Sequence, residues 1–96
     1  MAPSDDNGRL SASDLARAAL ATVEELTGYR SEAVTGLEWD GDSWRVTVDA
    51  LEMARVPDSM DVLGAYEVRL DDRGTLRGYR RVKRFRRSNI QEREEG

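Results

Sequence analysis

Apolar residues recur at three- and four-residue intervals early in the chain and at two-residue intervals after it. Between Ser11 and Leu26, Leu15, Ala18, Ala19, Val23 and Leu26 fall on one stripe, widened by Ala16, Leu20 and Ala21, which predicts an amphipathic helix of about four turns. Its ends carry their own signals. Ser11 or Ser13 is placed to accept from the first free N–H groups, Asp14 suits the positive end of the helix dipole, and Gly28 suits a left-handed stop. From Val34 the period is two. Val34, Gly36 or Leu37, and Trp39 run into Asp40-Gly41-Asp42, after which Trp44, Val46, Val48 and Ala50 alternate with Arg45, Thr47 and Asp49. Asp-Gly between two such runs predicts an antiparallel hairpin, with Trp39 and Trp44 as a cross-strand pair. Glu52–Met60 interrupts the alternation and contains Pro57, which has no N–H for a ladder, so it reads as an ordered connection. A third strand follows over Val62–Leu70, with Tyr66, Val68 and Leu70 on one face; Asp71–Gly74 is a turn, and Leu76–Arg87 is the last strand. The expected fold is therefore α+β: one N-terminal helix packed on a four-stranded antiparallel meander, in two layers.

Length and composition set the limits of this reading. The chain has 96 residues, 39% hydrophobic and 35% charged, which allows one two-layer core and no second domain. Residues 1–10 lack apolar periodicity and are expected to be a disordered lead-in, 11–87 a single domain, and 88–96 a frayed tail. There is no cysteine and no histidine, so disulfides, thiolate nucleophiles, Cys/His zinc sites and imidazole catalysis fall away together. No apolar run approaches the ~20 residues of a membrane helix, and the start lacks the pattern of a secretion signal, so a cytoplasmic location is expected.

Charge changes the picture most. Arg77, Arg80, Arg81, Lys83, Arg84, Arg86 and Arg87 lie within one eleven-residue stretch without an acidic residue, while the rest of the chain holds 8 basic and 19 acidic residues, a net of −11. The overall charge of −4 conceals this polarity. Strict alternation puts Arg77, Tyr79, Arg81, Lys83, Phe85 and Arg87 on one face of the last strand and Leu76, Gly78, Arg80, Val82, Arg84 and Arg86 on the other, so neither face is apolar. A bulge, or a strand end projecting beyond the helix, would reconcile that pattern with a packed sheet. One reading is an edge strand whose charges discourage aggregation. The other is a docking strip for an acidic partner, with Tyr79 and Phe85 as anchors among the arginines. A nucleic-acid platform built on the same two aromatics is the alternative, disfavoured by the acidic remainder of the chain. Asp40, Asp42, Asp71 and Asp72 suit turns better than calcium, Glu52 and Glu67 suit cross-strand ion pairs better than a hydrolytic pair, and no phosphate-loop spacing of glycines is present. No catalytic residue, metal or cofactor site is predicted.

Several short motifs occur in a recognisable order: Trp44–Glu52 (WRVTVDALE), Arg55–Asp58 (RVPD), Asp61–Asp71 (DVLGAYEVRLD), Gly74, and Gly78–Arg87 (GYRRVKRFRR). This series resembles the gas vesicle protein O family over roughly residues 15–87. The lead-in is shorter than in many relatives, and Phe85 stands where the family pattern suggests tyrosine. The resemblance implies a small, non-enzymatic accessory protein of gas vesicle assembly, with other gas vesicle proteins as partners and the vesicle as its place of association. The basic stretch, read independently from its charge, supplies the expected partner-binding residues: Tyr79, Arg80, Arg81, Lys83, Arg84, Phe85, Arg86 and Arg87. A second expected surface is Glu52, Arg55, Pro57 and Asp61, whose spacing follows the family pattern.

Overall fold

The structure, a computed structural model, describes residues 10–88. Helix α1 (Ala12–Thr27) is followed by strands β1 (Arg30–Trp39), β2 (Trp44–Met53), β3 (Val62–Leu70) and β4 (Leu76–Arg86), with one short 3-10 turn, Asp58–Met60, before β3. The strands form a single antiparallel sheet in the order β1-β2-β3-β4, as the periodicity predicts. Residues 1–9 and 89–96, which hold most of the expected lead-in and tail, lie outside the described residues. Leu10 and Ser88 belong to the folded part: the Leu10 N–H donates to the Asp72 carbonyl at 2.9 Å, and the Ser88 N–H donates to the Ser59 carbonyl at 3.0 Å.

Of the two serines able to start the helix, Ser11 is the cap. Its hydroxyl oxygen accepts from the Asp14 N–H at 3.2 Å, and the Asp14 carboxylate accepts from the Ser11 N–H at 3.4 Å, which satisfies two otherwise free donors. Gly28 ends the helix with φ 78°, a left-handed conformation that glycine adopts without a Cβ clash. Ser31 then fastens β1 under the helix, its hydroxyl donating to the Leu20 carbonyl at 3.1 Å and its N–H to Glu24 at 3.0 Å. The β1–β2 turn is held by the Asp40 carboxylate, which accepts from the N–H groups of Asp42 and Ser43 at 3.0 and 2.8 Å. In the β3–β4 turn the Asp71 carboxylate accepts from Arg73 and Thr75, each at 2.9 Å. These acidic residues organise turns, as local hydrogen bonding favours.

The register places Trp44 beside Leu70, Val46 beside Val68, and Val48 beside Tyr66. These side chains, with Ala50, form the sheet face on which Leu15, Ala19 and Val23 of the helix are fully buried. Each buried leucine or valine contributes roughly 1.5–3 kcal/mol relative to exposure. Trp39 and Trp44 close the hairpin end of this face as an edge-to-face pair, ring centroids 5.4 Å apart. The helix lies mainly across β1, β2 and β3, so β4 runs along its flank as an edge strand.

One ionic clamp ties the far end of β4 to the rest. The Arg87 guanidinium donates to both carboxylate oxygens of Glu32 at 3.0 and 2.8 Å and to Asp61 Oδ2 at 3.1 Å, while Asp61 Oδ1 accepts from the Arg55 N–H at 2.7 Å. The Arg55 hydrogen bond, followed by the Arg87 guanidinium, holds the Asp61 carboxyl below its ordinary range, and Glu32 with Asp61 holds Arg87 above its own.

Two outcomes follow. Leu15→Ala should lower unfolding free energy by about 2–5 kcal/mol in urea titration, whereas Leu26→Ala, at a half-exposed position, should change it by no more than about 0.5 kcal/mol. A carboxyl depressed by folding contributes stability above its unfolded value of 3.8 and loses it as pH falls through the lower folded value. The denaturation midpoint should therefore drop as pH is taken below that range, and D61N, starting lower, should show a shallower drop.

Candidate functional site on the last strand

The pairing of β4 with β3 departs from strict alternation at two places. Ala65 pairs with Lys83 but Tyr66 pairs with Arg81, which skips Val82; Arg69 pairs with Gly78 but Leu70 pairs with Leu76, which skips Arg77. Each skipped residue is a bulge, and each bulge exchanges the faces of the residues beyond it. This corrects the expected faces of the strand. Tyr79, Arg81, Arg84 and Arg86 line up on the helix side, whereas Gly78, Arg80, Lys83 and Phe85 line up on the opposite side. Tyr79 and Phe85 therefore do not share a face. Tyr79 is 42% exposed and stacks at a tilt on Tyr66, with centroids 6.5 Å apart. Phe85 is only 8% exposed and packs with Leu63, Ala65 and Leu51 in a small second core.

On the helix side the arginines converge on one carboxylate. Glu52, at a bulge where β2 skips a pairing with β3, has a buried side chain that accepts from the Tyr66 hydroxyl at 2.6 Å. Arg81 Nη1 lies 3.6 Å and Arg84 Nε 3.3 Å from the same Glu52 oxygen. The carboxylate rests over Gly64, where a Cβ would collide with it, so the absence of a side chain at Gly64 makes the arrangement possible. Burial first, and the Glu52 carboxylate second, push the Tyr66 hydroxyl above its ordinary range, which keeps it a proton donor. On the opposite side Glu67 lies 3.5 Å from Arg80 and 3.8 Å from Arg45. Both glutamates thus serve cross-strand pairing, as their sequence context suggests. Lys83 and Arg86 are exposed and make no ion pair within 4.0 Å among the described residues.

The expected partner-binding residues separate into two groups. Tyr79, Arg80, Arg81, Lys83, Arg84 and Arg86 form an exposed strip, while Phe85 sits in the second core and Arg87 in the ionic clamp. The second expected surface divides as well. Glu52 faces the β4 arginines, Asp61 is buried in the clamp, and Arg55 and Pro57 stay exposed on the connecting loop. The loop nevertheless meets the strip: Arg55, Val56, Met60, Val62 and Arg86 line a cleft of about 320 Å³. Val56, 99% exposed, was not singled out by periodicity, because a single valine in a loop carries no periodic signal. The bulged Val82, 47% exposed, escapes for a related reason, since alternation assigns it a face and the register removes it from pairing. Chemically, the strip offers guanidinium forks and one ammonium, groups suited to carboxylates.

The gas vesicle synthesis protein GvpO family matches residues 1–91 of the chain. Gas vesicle protein O of a Streptomyces species is 51% identical over 71 residues, covering 74% of this chain and 56% of that protein. Gas vesicle protein O of Haloferax mediterranei is 37% identical over 81 residues, covering 83% and 58% of the respective chains. Gas vesicle protein O1 of Halobacterium salinarum is 30% identical over 90 residues, covering 94% and 76%. The chain therefore spans less than two thirds of the length of the first two relatives. No solved structure matches it. On the family match and on all three relatives, the chain belongs to the gas vesicle synthesis protein GvpO family.

Proposed function

We propose that this protein acts in gas vesicle formation as a non-enzymatic accessory protein that docks another gas vesicle protein through the cationic strip of β4. The observation that carries the reading is the strip itself. Six exposed residues, Tyr79, Arg80, Arg81, Lys83, Arg84 and Arg86, gather on an edge strand that lies beside the helix rather than under it, in a chain otherwise rich in acid. Contacts that form and release during assembly are small and guided by charge, and an arginine-rich strip fits an acidic surface on the partner. Phe85 and Arg87 serve this surface from behind, by packing and clamping the strand that carries it.

Two details favour protein over nucleic acid. Only one of the two aromatics expected to stack on bases is at the surface, because Phe85 is buried. Glu52 and Glu67 lie within the strip's own network, where they would oppose a run of phosphates. Among the described residues no helix is long and apolar enough to cross a membrane.

The test is capture of gas vesicle shell and accessory proteins by the tagged full-length chain from native cells, eluted in rising salt with nuclease treatment in parallel. Lys83 and Arg86 are the positions to change, because reversing Arg81 or Arg84 would also set an acidic group against buried Glu52. K83E/R86E is expected to lower capture about tenfold or more with the thermal midpoint within about 2 °C of the parent. Undiminished capture by that variant would overturn the reading, and loss of the bound material to nuclease would replace it with the nucleic-acid one.

A further inference from the structure

The open side of β4 is its backbone edge. The strand is the last in the order β1-β2-β3-β4, so along its outer side every second residue turns an N–H and a C=O away from β3. Edges of this kind are usually blunted by shortness, proline or a covering element. β4 has 11 residues, contains no proline, and lies outside the main path of the helix. What defends it is charge, together with the bulges at Arg77 and Val82. Beyond Val82 the strand is regular again: Lys83, Arg84, Phe85 and Arg86 pair in unbroken register with Ala65, Gly64, Leu63 and Val62. Three of those four residues are cationic, Lys83 on one face and Arg84 and Arg86 on the other.

Charge of one sign makes such an edge selective rather than closed. A second copy of β4 would bring cations opposite cations and be repelled, and a neutral strand would meet an array that stays better solvated by water. An extended acidic strand meets neither penalty. Laid beside Lys83–Arg86, it would continue the ladder with its own N–H and C=O groups, and glutamates or aspartates two residues apart would stand opposite Arg84 and Arg86 on one face. An acidic residue one position beyond the one opposite Arg84, on the side away from Arg86, would stand opposite Lys83 on the other face. Arg84 approaches Glu52 through Nε, which leaves its terminal nitrogens for a second carboxylate, and Lys83 and Arg86 have no ion pair among the described residues.

We propose that the partner segment docked by this protein is an extended acidic stretch that adds to β4 as a fifth strand. The proposal rests on the docking role given above and specifies its geometry: backbone hydrogen bonds supply the register, and the alternating carboxylates supply the selection. The cleft formed by Arg55, Val56, Met60, Val62 and Arg86 adjoins the same end of β4.

Two probes of equal charge separate strand addition from simple charge attraction. One is an acetylated, amidated heptapeptide alternating glutamate with valine; the other replaces its valines with proline, which removes the N–H donors at those positions and disfavours strand pairing. Each is titrated into the isotope-labelled full-length chain at low salt, with backbone amide shifts and hydrogen exchange as readouts. The alternating peptide is expected to shift amides of residues 83–86 first, to slow exchange along β4 about tenfold, and to bind about tenfold more tightly than the proline peptide. K83E/R86E should abolish both effects. Equal binding of the two peptides without slowed exchange would overturn strand addition and leave docking by charge in place. Binding of neither would overturn it as well, and the capture experiment would then judge the docking role by itself.

Discussion

The width of one helix is the constraint on which this fold turns. An α-helix with its side chains is about 10–12 Å across, whereas four strands at a spacing of about 4.8 Å extend over more than 14 Å between the first and last backbones. One helix therefore covers about three strands, and here it lies over β1, β2 and β3 through Leu15, Ala19 and Val23. The fourth strand has to be held by other means. Its attachments are the ladder to β3, the small core around Phe85, and carboxylates reaching from the earlier strands: Glu52 to Arg81 and Arg84, Glu67 to Arg80, and Glu32 with Asp61 to Arg87.

That division explains the polarity of the sequence. Acidic residues from β1, β2, β3 and the connection before β3 stand across from the basic residues of β4, so part of the seven-charge excess belongs to the fold. Two of these five pairs, Glu67–Arg80 and Glu32–Arg87, have partly exposed carboxylates, and each contributes at most about 1 kcal/mol. In the other three the carboxylate is buried. Glu52 and Asp61 each combine guanidiniums with a further hydrogen bond, from the Tyr66 hydroxyl and from the Arg55 N–H respectively, and a buried carboxylate needs that fuller set of donors. Among the cations of the exposed strip, Lys83 and Arg86 make no ion pair within 4.0 Å among the described residues, and the fold itself gives no account of them.

Most of the architecture was legible in the sequence because each element satisfies its own period. Leu15, Ala19 and Val23 follow the helical repeat, Val46, Val48, Tyr66 and Val68 follow the strand repeat, and Asp-Gly at 40–41 marks the hairpin. What alternation could not supply was the register of β4. A bulge leaves no mark in a strand where arginines outnumber apolar residues, since moving Arg84 from one face to the other changes nothing in the pattern. Phe85 was misplaced for this reason: with Val82 skipped, it turns toward Leu63 and Ala65 and fills the end of the sheet that the helix does not reach. Glu52 shows the converse limit. Its charge suggests a cross-strand ion pair, which it makes, but only the close approach permitted by Gly64 places its carboxylate inside.

The same bulge that hides Phe85 organises the charge outside. Without it, strict alternation would put Arg81 beside Lys83 and Phe85 and separate it from Arg84. With Val82 set aside, Arg81 and Arg84 become successive residues on the helix side and can share Glu52, while Arg86 extends that row toward Arg55 and the connecting loop. One extra residue in the ladder thus performs two tasks at once: it turns the strand's aromatic ring inward for stability and aligns its guanidiniums outward for contact. On an edge strand assembled in this way Arg80, Arg81 and Arg84 both anchor and present charge, whereas Lys83 and Arg86 only present it. Lys83 and Arg86 are consequently open to substitution with little effect on packing, and the surface chemistry of β4 is separable from the fold that carries it.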